Sequence, residues 1–314
     1  MRQYLLPKDK KYYKVNLHCH STLSDGKATL DELKKQYKAK GYAAVAFTDH
    51  FVMPDVRHLT DDDFIAILGT ELAVNEPNMK RYDDGKTYHI NLIAKTPDAK
   101  YSWDDYKPME YSVEGINKTI KTAKENGFIV SYNHPFWSLQ WPTDYLGLEG
   151  LYGMEINNTD ATTLNLGESL RDYLYMCNAG KKLIPIGADD NHNRQGFTGP
   201  FADSFGSWNM VACESLTYEN IIAALENGEG YASTGVEIKE LYVEDGKIHV
   251  KCSPCCQVTM YRGGRRAWDT VKSDKDDITE ASIGIEVENS YILLECTNSK
   301  GERAVTRAYF DFAK

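Results

Sequence analysis

His18 and His20 stand one residue apart directly after an apolar-alternating run over residues 12–17, and Asp25 follows within Ser24-Asp25-Gly26. In a strand, side chains i and i+2 share a face, so both imidazoles leave together, and a turn at residues 24–26 can fold the carboxylate back towards them. Three such ligands suit a borderline transition metal. The same chemistry recurs along the chain. Thr48-Asp49-His50, Gly69-Thr70-Glu71, Asn133-His134-Pro135 and Asp190-Asn191-His192 each stop a short apolar run, whereas His89 begins one. Six of the eight histidines fall in this set, with His58 and His249 outside it. One histidine at a strand end is ordinarily a hydrogen-bonded polar residue. An ordered series of them, with carboxylates interleaved, is a candidate metal centre.

The elements that must position these residues alternate. Thr29-x-x-Glu32 is a capping box for a helix ending at Gly41. Further helical spacing covers residues 112–126, 166–179 and 217–226. Short apolar runs at 42–47, 64–68, 88–94, 128–132, 153–156, 183–187 and 208–212 read as buried strands. Repeated β then α predicts an α/β fold with a largely parallel sheet. About seven such units up to residue 235 suit a closed or nearly closed barrel, whose strand C-termini share one face. No glycine-rich phosphate-binding motif opens a helix, so a nucleotide-binding open sheet has no support. His89 begins its strand, so either that strand runs the other way or its boundary lies elsewhere.

From residue 236 the helical spacing fades. Runs at 238–243, 247–252, 257–261, 291–297 and 304–310 alternate or are β-rich, separated by turns such as Glu244-Asp245-Gly246 and Arg262-Gly263-Gly264. The expected organisation is a barrel over residues 1–235 and a small all-β, sandwich-like domain over 236–314, packed structurally against it.

Composition narrows the function. The 314 residues carry a net charge of −10 and no basic cluster longer than residues 262–266, which makes nucleic acid a poor partner. No run of about 18 apolar residues exists, so no membrane span is expected, and the first residues lack an apolar signal core. A cytoplasmic protein is the expectation. The seven cysteines are scattered, as for reduced thiols, and Cys252-x-x-Cys255-Cys256 lacks the second ligand pair of a structural zinc site.

The ordered set His18-x-His20, Ser24-Asp25-Gly26, Thr48-Asp49-His50, Gly69-Thr70-Glu71, His89, Asn133-His134-Pro135 and Asp190-Asn191-His192 resembles the PHP (polymerase and histidinol phosphatase) superfamily. Tyr231-Ala232-Ser233-Thr234-Gly235 is similar to the run that often closes the domain in its stand-alone members. The likeness spans roughly residues 12–235. It implies a distorted (β/α)7 barrel with two or three divalent transition-metal ions (Zn, Mn or Fe) that hydrolyses phosphoesters. Carried over residue by residue, His18, His20, Glu71 and Asp190 hold one metal; Glu71 bridges to a second, held also by His89 and His134; Asp25, His50 and His192 hold a third. The doubled acid departs from the family pattern, which selects Asp190 and leaves Asp189 as a supporting carboxylate or alternative ligand. Asp49 is a second supporting carboxylate, placed to orient an imidazole.

Physical chemistry asks for the same parts. Phosphoester hydrolysis needs a hydroxide near neutral pH, which a metal supplies by lowering the pKa of bound water to about 7. Three divalent ions would outweigh Asp25, Glu71 and Asp190, giving a cationic pocket in an acidic protein. Arg194, Arg57 and Arg81 are candidate phosphate contacts, and Phe136 and Trp137 candidate stacking surfaces. The expected activity is metal-dependent hydrolysis of a small phosphorylated molecule, a phosphomonoester for preference, by a metal-bridging hydroxide held at Glu71. Diester or nucleic-acid cleavage at the same site stays open. An amidohydrolase-like hydrolase lacks an obvious bridging lysine, and a non-catalytic metal-containing binding protein would be expected to show gaps in the ligand set.

Overall fold

The computed structural model describes residues 2–81, 84–264, 268–286 and 290–312; Arg265 and Arg266 of the basic cluster lie outside these. The chain forms a mixed α/β fold around one large sheet. In chain order its first half contains β1 (Gln3–Tyr4), β2 (Lys11–Asn16), α1 (Leu30–Ala39), β3 (Tyr42–Phe47), β4 (Ile65–Asn75), β5 (Thr87–Ala94), α2 (Val113–Glu125) and β6 (Phe128–Tyr132). Next come α3 (Pro142–Tyr145), β7 (Gly153–Asn158), α4 (Thr159–Thr162), α5 (Leu170–Asn178), β8 (Ile184–Ala188), β9 (Trp208–Cys213), α6 (Tyr218–Asn227) and β10 (Gly230–Ser233). The capping box forms as read: Thr29 Oγ1 accepts from Glu32 N, and the Glu32 carboxylate accepts from Thr29 N at 2.8 Å.

Strand directions decide where the site falls. β2, β3 and β4 are parallel neighbours, as are β6, β7 and β8. Between these two groups β5 runs antiparallel to both β4 and β6. This resolves the position of His89. Because its strand is reversed, a residue near the start of β5 lies beside Tyr132 and Asn133, at the end of β6. β9 is also reversed, pairing antiparallel with β2, so the sheet is less uniformly parallel than the β/α alternation predicts.

β4 is longer than its apolar run. Residues 65–68 pair with β3 and residues 69–75 pair with β5, so Glu71 lies inside the strand rather than beyond its end. The switch of partner falls at Gly69, where a Cβ would come within 3.0 Å of Leu92 O and the Thr48 methyl. At the far side β8 lies beside β9 and β10. There the Asn209 carboxamide donates to Gly187 O at 2.7 Å and accepts from Gly187 N at 3.2 Å, so a side chain bridges the two strands.

The remaining strands are β11 (Ile238–Glu244), β12 (Lys247–Cys255), β13 (Gln257–Tyr261), β14 (Trp268–Lys272), β15 (Ile278–Gly284), β16 (Leu293–Thr297) and β17 (Arg303–Thr306). A four-stranded sheet, β1-β11-β12-β15, encloses a second apolar cluster that includes Leu6, Leu241, Val250, Val258 and Leu294. The opposing strands β13, β16 and β17 continue the large sheet, because β17 pairs with β10. Tyr291, Leu293, Val305 and Ala308 belong to the larger cluster. The two layers share a core. No helix among the described residues is long and apolar enough to cross a membrane.

Candidate metal centre

The extended chain beyond β2 passes between two neighbours: Thr48 N donates to Cys19 O at 2.8 Å on one side, and Asp190 N donates to His18 O at 3.0 Å on the other. His18 and His20 are thereby fixed on one face while Cys19 is buried on the opposite one. Their Nε2 atoms lie 3.0 Å apart. Asp190 Oδ1 is 3.1 Å from His18 Nε2 and 3.0 Å from His20 Nε2, and Glu71 Oε2 is 3.3 Å from each. Two imidazole nitrogens and two carboxylate oxygens thus converge among four buried residues. Tetrahedral ligands with bonds of about 2.0–2.1 Å would be separated by roughly 3.3 Å, so the donor set suits a transition metal.

Two further groups adjoin this one. Glu71 Oε1 faces His89 Nδ1 at 2.9 Å and His134 Nε2 at 3.4 Å. On the outer side Asp25 Oδ2 is 3.2 Å from His192 Nε2, and His50 completes a group with them and His20. All nine residues singled out by type and order therefore surround one place, with Glu71 common to the first two groups. Three buried atoms there, His50 Nδ1, His89 Nε2 and Asp190 Oδ1, have no hydrogen-bond partner. Such orphans are costly unless a ligand satisfies them, so the residues present fit bound cations.

The electrostatics point the same way. Burial disfavours the charged imidazoles of His18 and His20, yet Asp190 and Glu71 override it, raising His18 and bringing His20 to about 10. Burial likewise opposes charge on Glu71 and Asp190, but His18 and its neighbours hold both below the ordinary carboxylate range. His50 is lowered to about 4 by its burial, despite Glu71. The carboxylates demand positive charge, and metal ions supply it without protonating the ligands. Backbone strain accompanies this packing: His134 and Asp190 have φ of 25° and 53°, positions that cost roughly 1–3 kcal/mol each for residues with a Cβ.

The supporting shell contains residues that the sequence did not single out. Glu155, on β7, is buried; its Oε1 lies 2.6 Å from His18 Nδ1, and its Oε2 accepts from His134 N and Asn158 Nδ2. Asn158 also donates to Asp190 at 3.0 Å, and Asn133 donates to Glu71 at 2.8 Å. The only trace of Glu155 in the sequence is an acid inside an apolar run, Gly153-Met154-Glu155-Ile156. Glu155→Gln is expected to weaken metal binding about 10–100-fold, the usual effect of losing a carboxylate behind a ligating imidazole. Competition against a chelating dye would measure it, and unchanged affinity would remove Glu155 from the site's machinery.

The two supporting acids named from the sequence occupy different places. Asp49 accepts from the backbone N and Oγ of both Ser21 and Ser24, and Ser24 Oγ lies 3.4 Å from His20 Nδ1. It therefore braces the turn after His20 and reaches the imidazole through a serine. Asp189 is turned away from the metal ligands, into a buried network with Tyr37 and Thr159.

A cavity of about 560 Å³ opens over these groups, lined by His50, Phe51, Glu71, His134, Trp137 and Arg194 among others. Arg194 is half-exposed, 3.3 Å from Asp25 and 3.9 Å from Asp160. Arg57 and Arg81 do not line it. Arg57 pairs with Asp55 on the exposed surface, and Arg81 is exposed elsewhere. Trp137 packs edge-on against His89 and His134, whereas Phe136 is exposed and outside the cavity.

The chain matches the PHP domain over residues 16–307. It belongs to the PHP family. Among solved structures, it is similar to a two-domain protein from Bacteroides vulgatus containing a predicted PHP-like metal-dependent phosphoesterase, at 13% identity and TM-score 0.47, covering 99% of this chain and 91% of that one. A protein from Bifidobacterium adolescentis described as a metal-dependent phosphoesterase matches at 14% identity and TM-score 0.40, over 61% and 92% of the two chains. An amidohydrolase from Chromobacterium violaceum with bound sulfate and no metal matches at 16% identity and TM-score 0.41, over 57% and 87%. With every TM-score below 0.5, PHP membership rests on the match over residues 16–307. No curated protein matches the chain. The PHP match extends well into the β-rich region, beyond the residue-235 limit of the motif likeness.

Proposed function

We propose that this PHP protein is a metal-dependent phosphoesterase acting on a small phosphorylated molecule, a phosphomonoester for preference. The observation that carries the reading is the convergence of His18, His20, Glu71 and Asp190 on one point, with Glu71 shared by His89 and His134. In this reading the three groups hold two or three divalent ions, assigned as in the family, with Asp25, His50 and His192 as the outermost set. Such ions supply a nucleophile from water at neutral pH and offset charge on the phosphate oxygens.

The chain's own residues do the positioning. Glu71 ties two ligand groups together, Asn133 and Asn158 fix the carboxylates, and Glu155 fixes the ring of His18. Arg194, the one arginine or lysine among the described residues lining the cavity, is placed to bind substrate phosphate. The absence of a basic track favours a small substrate over nucleic acid. No lysine lines the cavity among the described residues, so an amidohydrolase-like reading lacks its bridging group. We read residues 1–235 as a distorted (β/α)7 barrel and residues 236–314 as an accessory β domain.

Chelator treatment is expected to lower hydrolysis of p-nitrophenyl phosphate at least about 100-fold, with recovery on adding back Mn, Zn or Fe. Parallel assays on the bis ester should give slower turnover. Equal rates for metal-stripped and metal-loaded protein would refute the reading.

A further inference from the structure

A second cavity, of about 360 Å³, lies at the other ends of the strands that carry the metal centre. Its lining includes Lys95 just after β5, Phe128 at the start of β6, Leu183 and Ile184 at the start of β8, and Gly228 after α6. The six residue steps from Phe128 to His134 separate the two regions by about 20 Å of extended chain. Four cations line this cavity in a chain of net charge −10: Lys95, Lys124, Lys182 and Arg307. Two have counter-charges: Lys95 pairs with Glu226 at 2.7 Å and Lys182 with Asp311 at 3.1 Å.

The other two do not. Lys124 and Arg307 have no ion pair and no side-chain hydrogen bond with any described residue, and Arg307 Nε is buried without a partner. The Arg307 guanidinium lies over the Tyr309 ring, 4.4 Å from its centroid, which orients it but satisfies none of its N–H donors. Gly228 makes room for it: a Cβ there would come within 2.7 Å of Arg307 Cδ, and the φ of 65° also favours glycine. A buried N–H donor is costly when unmade, and guanidinium and ammonium groups lining one cavity are the cations that recognise phosphate oxygens.

We propose that this cavity binds a small phosphate-bearing molecule, at a site separate from the metal centre. Arg307 supplies oriented donors, Lys124 a mobile charge, and Lys95 exchanges its pairing with Glu226 for the ligand. The volume exceeds that of one phosphate, leaving space for an attached group of a few atoms. The inference stands apart from the catalytic reading, because none of these residues lines the metal-site cavity.

Hydrogen–deuterium exchange of the full chain with inorganic phosphate and pyrophosphate as probes tests it. Slowed exchange is expected in residues 124–128 and 225–229 of the wild-type protein, besides any change near residues 133–138 and 188–194. In Lys124→Gln and Arg307→Gln that protection should need at least about tenfold more probe, as for a lost charged hydrogen bond, while any change near the metal centre persists. Lys124 is an exposed helix residue, so its variant guards against a folding defect in the other. Protection confined to the metal face, or protection at 124–128 and 225–229 that both variants retain, would overturn the proposal.

Discussion

Glu71→Gln should cost at least about a thousandfold in phosphoesterase turnover, beyond the 10–100-fold typical of residues behind the ligands. Both carboxylate oxygens are engaged. Oε1 faces His89, His134 and the Asn133 amide, and Oε2 faces His18, His20 and His50, all within 2.8–3.4 Å. An amide is nearly the same size, so packing should survive and far-UV circular dichroism should be unchanged. Its NH2 group, however, presents hydrogens where a lone pair is needed, on whichever side it turns, and the negative charge is gone. One substitution should therefore remove ions from two ligand groups together. Elemental analysis of the purified variant measures this. Full metal content with wild-type turnover would show that Glu71 is not the shared ligand.

Neighbouring acids should behave in opposite ways. Asp189 is fully buried and accepts from Tyr37 Oη, Thr159 Oγ1 and the backbone N–H groups of Phe205, Gly206 and Ser207 at 2.7–3.2 Å. Asp189→Ala strands those donors and should destabilise the protein by at least about 3 kcal/mol, since each buried donor left unpaired costs about 1–3 kcal/mol. Asp190→Asn keeps the shape but removes the negative charge that faces His18 and His20 at 3.1 and 3.0 Å. It should destabilise the metal-free protein by less than Asp189→Ala, because the amide oxygen still accepts a hydrogen bond, while abolishing binding at the first group. Urea unfolding of chelator-treated samples separates the two. If Asp190→Asn were the more destabilising change, the division of labour would be reversed.

The metal centre was legible because its residues are few, chemically distinctive and placed at the ends of apolar runs. His18, Glu71 and His192 lie far apart in sequence, yet their types and order sufficed to group them. Glu155 escaped notice because burial beside His18 is a tertiary fact, while a lone acid in a short strand has the same local appearance whether it faces metal ligands or solvent. The direction of β5 was illegible for a similar reason: side-chain alternation has period two whichever way a strand runs. The extent of β4 was missed where polar Thr70 and Glu71 interrupt its apolar run: Glu71 faces the ligand histidines, and the Thr70 hydroxyl donates to Asp49 O. In the C-terminal region β14 and β15 were overlooked. Residues 268–272 and 278–284 are largely polar, as edge or half-exposed strands are, and only the pairing of β14 with β13 and of β15 with β12 defines them. Arg57 and Arg81 show the converse error, since proximity to a strand end in sequence does not aim a long side chain.

The ladder from β10 to β17 makes the metal-bearing half inseparable from the C-terminal strands. A chain cut after residue 235 would leave one whole side of β10 with unpaired N–H and C=O groups, and would uncover the apolar surface that Tyr291, Leu293, Val305 and Ala308 now seal. Such a raw edge is a template for intermolecular strand addition, so the fragment would be an aggregation hazard rather than a minimal enzyme. The β-rich segment thus guards the solubility of the metal-bearing sheet, whatever else it recognises.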